Sequence, residues 1–219
     1  MTLKGCVSML NETMDPVSLA ERTVKVRLES PFVGVAGLLK AQDGRASKAF
    51  VMRELPFRDL VNVRGELGDP AFVDAFAQVV GCQPPSQPNT VARGNGYDVL
   101  WLGPDEWLVR TNAAVPAGVL EAKLAPAFGE SHAAAVDVGS GYTVVEIDGA
   151  RTRELLSRGC PLDLHPRLFR QGQCAQSVFF KASIVLIPTG DDRFEIVARR
   201  SFADYFCRIM LDAAASLAS

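Results

Sequence analysis

The sequence lacks several features that would assign it to a common functional class. It has no large excess of charge of either sign, since 23 Lys and Arg residues face 25 Asp and Glu residues and the net charge is -2. Neither a nucleic acid nor an anionic membrane is therefore an expected partner. No apolar run approaches the roughly 20 residues that span a bilayer, and charged residues interrupt residues 1–30, where a signal peptide would need an apolar stretch. We expect a cytoplasmic protein.

Cysteine patterns and phosphate-binding loops are also missing. The five cysteines form no C-x-x-C pair of the kind found in zinc and redox sites, so reduced and mostly buried thiols are expected. No glycine-rich phosphate loop follows a predicted strand, which argues against a nucleotide site in this chain. Gly139-Ser140-Gly141 lacks the complete nucleophile-elbow pattern, so it indicates a tight turn between strands.

One proline-flanked loop, residues 159–167, contains the richest cluster of polar residues. Cys160, His165 and the later Cys174 could be written as metal ligands, or Cys160 and His165 as a nucleophile and its base. Neither spacing matches a known ligand frame, and the prolines favour a rigid loop held by packing. A loop that contacts another chain is the preferred interpretation. We predict no catalytic, cofactor-binding or metal-binding residue in this chain.

What the sequence does contain is a strong hairpin signal that occurs twice. Residues 97–111 hold both tryptophans, Trp101 and Trp107, on either side of a Gly-Pro-Asp-Glu turn. Residues 184–198 repeat the order of apolar strand, Gly-Asp turn, aromatic residue and apolar strand, and a helix is predicted after each hairpin. The chain is therefore predicted to contain two related units.

The order of predicted elements indicates an α+β fold. Strands over 49–55 and 57–64 precede a helix that Asp69-Pro70 opens and Gly81 ends. With the hairpin, the next helix and a strand to residue 138, this gives the ferredoxin-like split βαβ order. We predict one domain over 49–219, built of two such pseudo-repeats at 49–138 and 142–215, the second lacking its last strand. The two sheets would meet face to face or through the strand pair at Gly139.

Residues 1–48 are predicted to be an irregular N-terminal segment. Within it, the apolar residues 31–39 contain two glycines that argue against a stable isolated helix. Such a segment would dock either on a partner or on the body of the chain. Together with the proline-flanked loop it supplies the predicted partner interface: Phe32, Leu38, Leu39, Cys160, Leu162, Leu164, His165 and Arg167.

Four longer motifs carry a resemblance to a known family. They are L-W-L-G-P-D-E-W-L-V at 100–109, R-G-C-P-L-D-L-H-P-R at 158–167, G-Q-C-A-Q at 172–176 and R-R-S-F-A-D-Y at 199–205. In this order they resemble the gamma subunit of bacterial heterotetrameric sarcosine oxidase, over a region from about Met52 to the C-terminus. The resemblance implies alpha, beta and delta subunits as partners. It also implies that the complex demethylates sarcosine oxidatively to glycine and transfers the one-carbon unit to tetrahydrofolate.

The resemblance assigns the chemistry to other chains of that complex. In this family FAD, FMN, NAD, tetrahydrofolate and zinc belong to the other subunits, so the gamma subunit is expected to be non-catalytic by itself. The same region is more distantly similar to the folate-binding domain of glycine-cleavage aminomethyltransferases. Those enzymes carry an Asp-Asp run between the strands around Val178 and Ile184, where this chain has Phe180-Lys181-Ala182-Ser183. The missing carboxylate favours a structural copy of that fold.

Two other functions remain as alternatives. The chain could be the equivalent subunit of a related N-methyl amino acid oxidase or dehydrogenase complex, because the substrate would bind to a different chain. It could also be a stand-alone folate-dependent aminomethyltransferase-like protein, which the missing carboxylate disfavours.

Overall fold

The computed structural model describes residues 28–43 and 50–217, with the side chains of 41–43 left aside. Most of the predicted N-terminal segment therefore lies outside the described residues. Among the described residues, no helix is long and apolar enough to cross a membrane.

The described strands form two five-stranded sheets in which every neighbouring pair is antiparallel. Sheet I has the order β3-β4-β5-β2-β6, and sheet II has the order β1-β7-β10-β9-β8. The strands are β1 (Val51–Glu54), β2 (Arg58–Arg64), β3 (Val91–Gly94), β4 (Tyr97–Gly103), β5 (Glu106–Ala114), β6 (Ala134–Asp137), β7 (Tyr142–Asp148), β8 (Ala175–Phe179), β9 (Ala182–Pro188) and β10 (Arg193–Arg199).

Five α-helices within the described ranges cover the outer faces of the sheets. They are α1 (Ala36–Asp43), α2 (Pro70–Val80), α3 (Val119–Ala127), α4 (Thr152–Ser157) and α5 (Ala203–Ala215). Helices α2 and α3 share a core with sheet I, whereas residues 32–39, α4 and α5 share a core with sheet II. A third core joins the two sheets directly. The layers are therefore helices, sheet, sheet and helices, and the predicted mixed α+β class is confirmed.

The alternation of side chains along β5 explains why the sheets stack. Trp107 and Val109 face the helices and are fully buried, while Leu108 between them faces sheet II and is also buried. Successive side chains of a strand point to opposite faces, so a strand that is apolar at both sets of positions needs cover on both sides. The predicted meeting of the sheets face to face is thus observed.

Helix α2 follows the predicted capping chemistry. The Asp69 side chain accepts a hydrogen bond from the Ala71 backbone N–H at 2.9 Å, and Pro70 occupies the first turn. Gly81 ends the helix with φ +84°, a conformation that glycine adopts without steric cost. Phe72 and Phe76 on one face of the helix are fully buried against sheet I.

Strand β1 differs from the sequence-based prediction. We predicted it within the first unit, 49–138, but it pairs with β7 of sheet II, with Val51 opposite Asp148 and Glu54 opposite Val145. The short connector after Glu54 carries the chain from sheet II to sheet I before β2 begins. Sheet II therefore has five strands, and the strand that its own half of the sequence lacks comes from the N-terminal side.

Candidate functional site

The proline-flanked loop packs on the chain itself more than predicted. Cys160 and Leu164 are 5% and 6% exposed and belong to the core under sheet II. Arg153 of α4 connects the helix to the loop. Its guanidinium donates hydrogen bonds to the carbonyl oxygens of Leu164 and, at 3.2 Å, of Phe169. His165 and Arg167 are exposed. The loop is held by packing and by these hydrogen bonds, and it offers little apolar surface.

The apolar stretch 31–39 also lies on the body of the chain. Phe32 is 1% exposed and is among the largest fully buried side chains, whereas Leu38 is 39% exposed. Leu39, like Leu162 of the loop, is partly buried against the same core. The prediction of Phe32, Cys160 and Leu164 as interface residues is therefore corrected. Side chains that are buried in the chain's own core present no free surface to a partner. The predicted interface keeps Leu38, His165 and Arg167 as exposed members.

The structure does not bring together the side chains of either thiol-based alternative, the metal site or the pair of nucleophile and base. The Cys160 sulfur lies 3.4 Å from the Ser177 hydroxyl, and His165 Nδ1 accepts a hydrogen bond from the Arg167 N–H at 3.2 Å instead of facing a thiol. Cys174 belongs to a different core, the one between the sheets. Among the described residues, no group of three His, Cys, Asp or Glu side chains is arranged to hold a metal ion.

Burial makes the two thiols with the largest pKa shifts poor nucleophiles. It raises the pKa of Cys174 to about 12. It likewise raises the pKa of Cys207 to about 11. Because the thiolate is the reactive form, both cysteines are inert at neutral pH.

An ion cluster between the sheets was not predicted. Arg110 of sheet I is 4% exposed at its side chain, donates to Asp98 at 2.8 Å and forms an ion pair with Glu195 of sheet II. It therefore joins the two sheets electrostatically. The signal in the sequence is a charged residue inside each of three largely apolar strands, at a position that faces the other sheet. Buried ion pairs of this kind add little net stability over apolar packing.

A second inter-sheet feature is a cavity of about 340 Å³, which we call the connector cavity. It lies where the connector from β1 to β2 meets the turn from β6 to β7, and its wall is mostly apolar. The residues that line it are Leu28, Glu29, Pro31, Glu54, Leu55, Pro56, Phe57, Arg58, Asp59, Leu60, Val115, Ala117, Gly139, Ser140, Tyr142, Thr143, Val144 and Arg200. Its volume is at the lower end of the range of pockets that bind small molecules.

The two carboxylates with close donors in the cavity wall are satisfied within the chain. Asp59 is buried and accepts hydrogen bonds from the backbone N–H groups of Gly118 at 3.3 Å and Leu120 at 2.8 Å, so it caps α3. Glu54 accepts from the Thr143 hydroxyl at 3.1 Å and bonds to the Ser30 hydroxyl. Both carboxylates therefore have hydrogen-bond donors within the chain.

Phe57 on the cavity wall has an unusual backbone. Its φ is +58°, and its side chain is 47% exposed. A left-handed conformation costs a residue with a Cβ about 1–2 kcal/mol, and glycine avoids that cost. The connector holds the conformation from both sides, through Leu55 N–H to the Val144 carbonyl at 2.8 Å and Val115 N–H to the Phe57 carbonyl at 3.1 Å. An exposed aromatic residue is thus kept where glycine would be less strained.

Comparison with protein-family models gives a match to the Sarcosine oxidase, gamma subunit family over residues 64–216. The chain belongs to this family. A curated relative, sarcosine oxidase subunit gamma of Corynebacterium sp. (strain P-1), is 33% identical over 178 residues, which are 80% of this chain and 85% of the relative. The resemblance noted from the sequence motifs is therefore confirmed.

Solved structures give the same family and a wider fold relationship. A chain in heterotetrameric sarcosine oxidase from Corynebacterium sp. U-96, in complex with pyrrole 2-carboxylate, matches this gamma-subunit family member with a TM-score of 0.80 and 27% identity. The match covers 88% of this chain and 97% of that one. Glycine cleavage system aminomethyltransferase T from Bartonella henselae matches with a TM-score of 0.58 and 12% identity, over 79% of this chain and 48% of that one. The second match shows a shared fold.

Proposed function

We propose that this chain is the non-catalytic gamma subunit of a heterotetrameric sarcosine oxidase and that it supports assembly of the complex. The observation that carries the proposal is the match to a chain of such an enzyme at a TM-score of 0.80, over 97% of that chain. A match that covers almost the whole of the relative supports an equivalent role better than a match to a shared motif would.

The reaction proposed for the complex is oxidative demethylation of sarcosine to glycine, with transfer of the one-carbon unit to tetrahydrofolate. Alpha, beta and delta subunits are the proposed partners, and the complex is proposed to be cytoplasmic. FAD, FMN, NAD, tetrahydrofolate and zinc are assigned to those other subunits. Two features of this chain agree with a non-catalytic role: burial raises the pKa of Cys174 and Cys207, and the Asp59 carboxylate accepts hydrogen bonds from backbone donors.

We also propose that the fold consists of two ferredoxin-like units. In sheet I the order β6-β2-β5-β4 is that of a split βαβ unit, with β3 added at the edge. In sheet II the order β1-β7-β10-β9, with β8 at the edge, corresponds to it strand by strand. This correspondence supports a pseudo-repeat in which β1 takes the place that β6 has in sheet I.

The exposed residues of the predicted interface are proposed to contact partner subunits. Leu38 on α1 and His165 and Arg167 in the proline-flanked loop lie on the side of the molecule that covers sheet II. Aromatic, apolar and arginine side chains are favoured at interface cores. This surface is separate from the connector cavity, since none of the three residues lines it.

Purification of the tagged chain from its native host tests the proposed function. We expect three further subunits in fixed stoichiometry, a flavin absorption spectrum and oxygen uptake that depends on sarcosine. The chain expressed alone should be colourless and inactive with sarcosine. Purification of the chain without flavin-containing subunits would contradict the proposal, and activity with another N-methyl amino acid would assign it to a related complex.

An aminomethyltransferase-like protein acting alone is the second candidate, favoured by the shared fold with aminomethyltransferase T at a TM-score of 0.58. The match covers 48% of that enzyme, so half of its length has no counterpart in the matched region. Titration of the isolated chain with tetrahydrofolate distinguishes the two: saturable binding would favour the second candidate, and absence of binding the first.

A further inference from the structure

The tip of the proline-flanked loop, which we define as residues 165–168, has an ordered backbone. His165 donates its backbone N–H to the Asp163 carboxylate at 2.9 Å, and Arg167 donates its own to His165 Nδ1 at 3.2 Å. Leu168 donates to the His165 carbonyl at 2.8 Å. The remaining residue of the tip is a proline, which has no N–H. Every backbone donor of the tip therefore has an acceptor within the loop.

The guanidinium of Arg153 closes the tip from α4. Its Nη1 donates to the carbonyl oxygens of Leu164 and, at 3.2 Å, of Phe169, the two residues that flank the tip. Its Nε donates to the Asp191 carbonyl at 2.8 Å, and the group lies over the Phe194 ring at 4.9 Å from the centroid. A guanidinium presents several N–H donors in one fixed plane, which the ammonium group of lysine cannot reproduce. One side chain thus holds both ends of the tip.

The side chains of the tip lie outside the core. All four are exposed, whereas the flanking Leu164 and Phe169 are buried. Leu168 is the large apolar side chain among them, and it is 61% exposed. Ordering a loop costs conformational entropy, which burial of these four side chains does not offset. An exposed apolar group on an ordered backbone is well suited to binding, because it loses less conformational freedom when a partner covers it.

We propose that the tip is a pre-organised anchor for another subunit of the complex: Leu168 inserts into an apolar pocket of that subunit, and Arg153 is the positioning residue that holds the tip for this contact. The inference rests on the proposed function, since it takes the partner from that complex. It adds an apolar anchor and its support to the contact proposed for His165 and Arg167. An apolar side chain beside an arginine agrees with the composition of interface cores.

Competition within the complex tests the anchor. Two copies of the chain with different tags, one wild type and one variant, are co-expressed with the other subunits, and the ratio of the tags in the purified complex is measured. We expect Leu168→Asp to be under-represented by about 10-fold or more, as for the loss of an interface anchor. The free variant should melt close to the wild-type temperature, because the side chain is exposed. A tag ratio near one would overturn the proposal.

Leu67→Asp is the matched control. Leu67 is also an exposed leucine, at 36%, but it precedes α2, which covers sheet I. We expect this variant to enter the complex at a ratio near one. Equal losses for Leu67→Asp and Leu168→Asp would show a general effect of added surface charge, and the anchor would be wrong. If two differently tagged wild-type chains recover no other subunit, the proposed function is wrong instead.

Arg153→Lys tests the positioning role. Lysine keeps the positive charge but cannot hold the carbonyls on both sides of the tip in the same geometry. We expect the tag ratio to fall by about 10-fold and the Leu168 amide of the free chain to exchange its hydrogen faster, while the amides of β10 keep their protection. Unchanged exchange in β10 shows that the variant is folded, and a tag ratio near one would overturn the positioning role.

Arg158→Lys is the control for the arginine substitution. Arg158 follows the last residue of the same helix, but it donates to the Ala213 carbonyl of α5 at 3.1 Å and not to the loop. We expect neither the tag ratio nor the exchange of the Leu168 amide to change. Equal losses for Arg158→Lys and Arg153→Lys would contradict a role specific to the tip.

The double variant separates positioning from general stabilisation. If Arg153 acts through the tip, Arg153→Lys combined with Leu168→Asp should lower the tag ratio by little more than Leu168→Asp alone. Independent effects would multiply to about 100-fold. That result would show that the two residues act separately, and the positioning role would be wrong.

A photo-reactive p-benzoylphenylalanine in place of Leu168 identifies the subunit that receives the anchor. In the assembled complex we expect a cross-link from this position to another subunit, at a stretch rich in apolar residues. A cross-link to a second copy of this chain, or the absence of any cross-link to another subunit, would overturn the proposal.

Discussion

Sheets I and II have corresponding strand orders but obtain their strands in different ways. All five strands of sheet I come from one continuous stretch, Arg58 to Asp137. Sheet II combines residues 142–199 with β1, which precedes sheet I in the chain. The edge position that β6 fills in sheet I is filled in sheet II by a strand from the other end of the sequence. Sheet I can therefore form from one stretch of chain, whereas sheet II needs strands from two separate stretches.

The helical layers over the two sheets also differ in where their residues come from in the chain. Sheet I is covered by α2 and α3, which belong to its own stretch of chain. Helix α4 over sheet II has 6 residues, compared with 11 in α2 over sheet I. Phe32 and Val35 fill part of the core under sheet II from the N-terminal side. The helical layer over sheet II thus includes residues from outside its own stretch of chain, whereas the layer over sheet I does not.

The largest expected effect is on sheet I. Trp107→Ala removes a side chain that is fully buried, packs on Phe72 at 5.8 Å between ring centroids and donates to the Pro85 carbonyl at 2.9 Å. We expect a loss of about 4 kcal/mol in the free energy of unfolding, measured by urea titration of the free chain. Trp101→Ala, at a partly buried position in the same core, should cost less. Equal losses of unfolding free energy would contradict the prediction and show that the two tryptophans stabilise the core of sheet I to the same extent.

Phe32→Ala tests whether the N-terminal side completes sheet II. We expect a loss of about 3 kcal/mol, because the ring is 1% exposed in the core under that sheet. Leu38→Ala is the control from the same segment, and its 39% exposure predicts a loss below about 1 kcal/mol. A stable Phe32→Ala chain would mean that residues 32–39 are dispensable for the fold and that sheet II is as self-sufficient as sheet I.

Arg110→Met tests the electrostatic link between the two sheets. The variant leaves the carboxylates of Asp98 and Glu195 in a buried site without their shared cation. We expect a loss of about 3 kcal/mol in the free energy of unfolding. The triple variant Asp98→Val, Arg110→Met, Glu195→Leu should recover much of the loss, since apolar packing can replace a buried ion cluster. An Arg110→Met chain as stable as the wild type would show that the link has no energetic role.

The smallest effect concerns Cys174, between the sheets. Its pKa in the folded chain is about 12, above its ordinary value of 9.0, so folding favours the neutral thiol. The associated stability is complete below pH 9 and is lost as the pH rises toward 12. At pH 10 the wild type should have lost about 1 kcal/mol that Cys174→Ala retains. The measurement is the difference in unfolding free energy between pH 8 and pH 10 for both chains; equal differences would contradict it.

Local patterns in the sequence predicted the hairpins and α2 well. Trp101 pairs with Trp107 across the first hairpin, and Phe194 pairs with Pro188 across the second, as the turn residues indicated. Asp69 and Gly81 bound α2 through hydrogen bonds that act over a few residues. Such features need no knowledge of the rest of the fold, so they can be inferred from residue types and spacing.

Long-range features were missed for a physical reason. The pairing of β1 with β7 depends on which of two sheet edges is free, and no residue in Val51–Glu54 encodes that choice locally. The connector cavity and the cluster at Arg110 likewise form from strands far apart in sequence. Phe32 and Leu164 were predicted at a partner interface because their segments are too short or too irregular to form a core of their own, yet both side chains fill the chain's own core.

The pairing of β1 with β7 also has a consequence for the order of events on the ribosome. Val51 pairs with Asp148, so 97 positions separate the partners. At a synthesis rate of about 5–20 residues per second, β1 waits about 5–20 seconds for its neighbour, while the whole of sheet I is made in between. Sheet I, from the middle of the sequence, is thus free to fold first. Sheet II, formed from both sides of that stretch, can be completed only after sheet I has been synthesised.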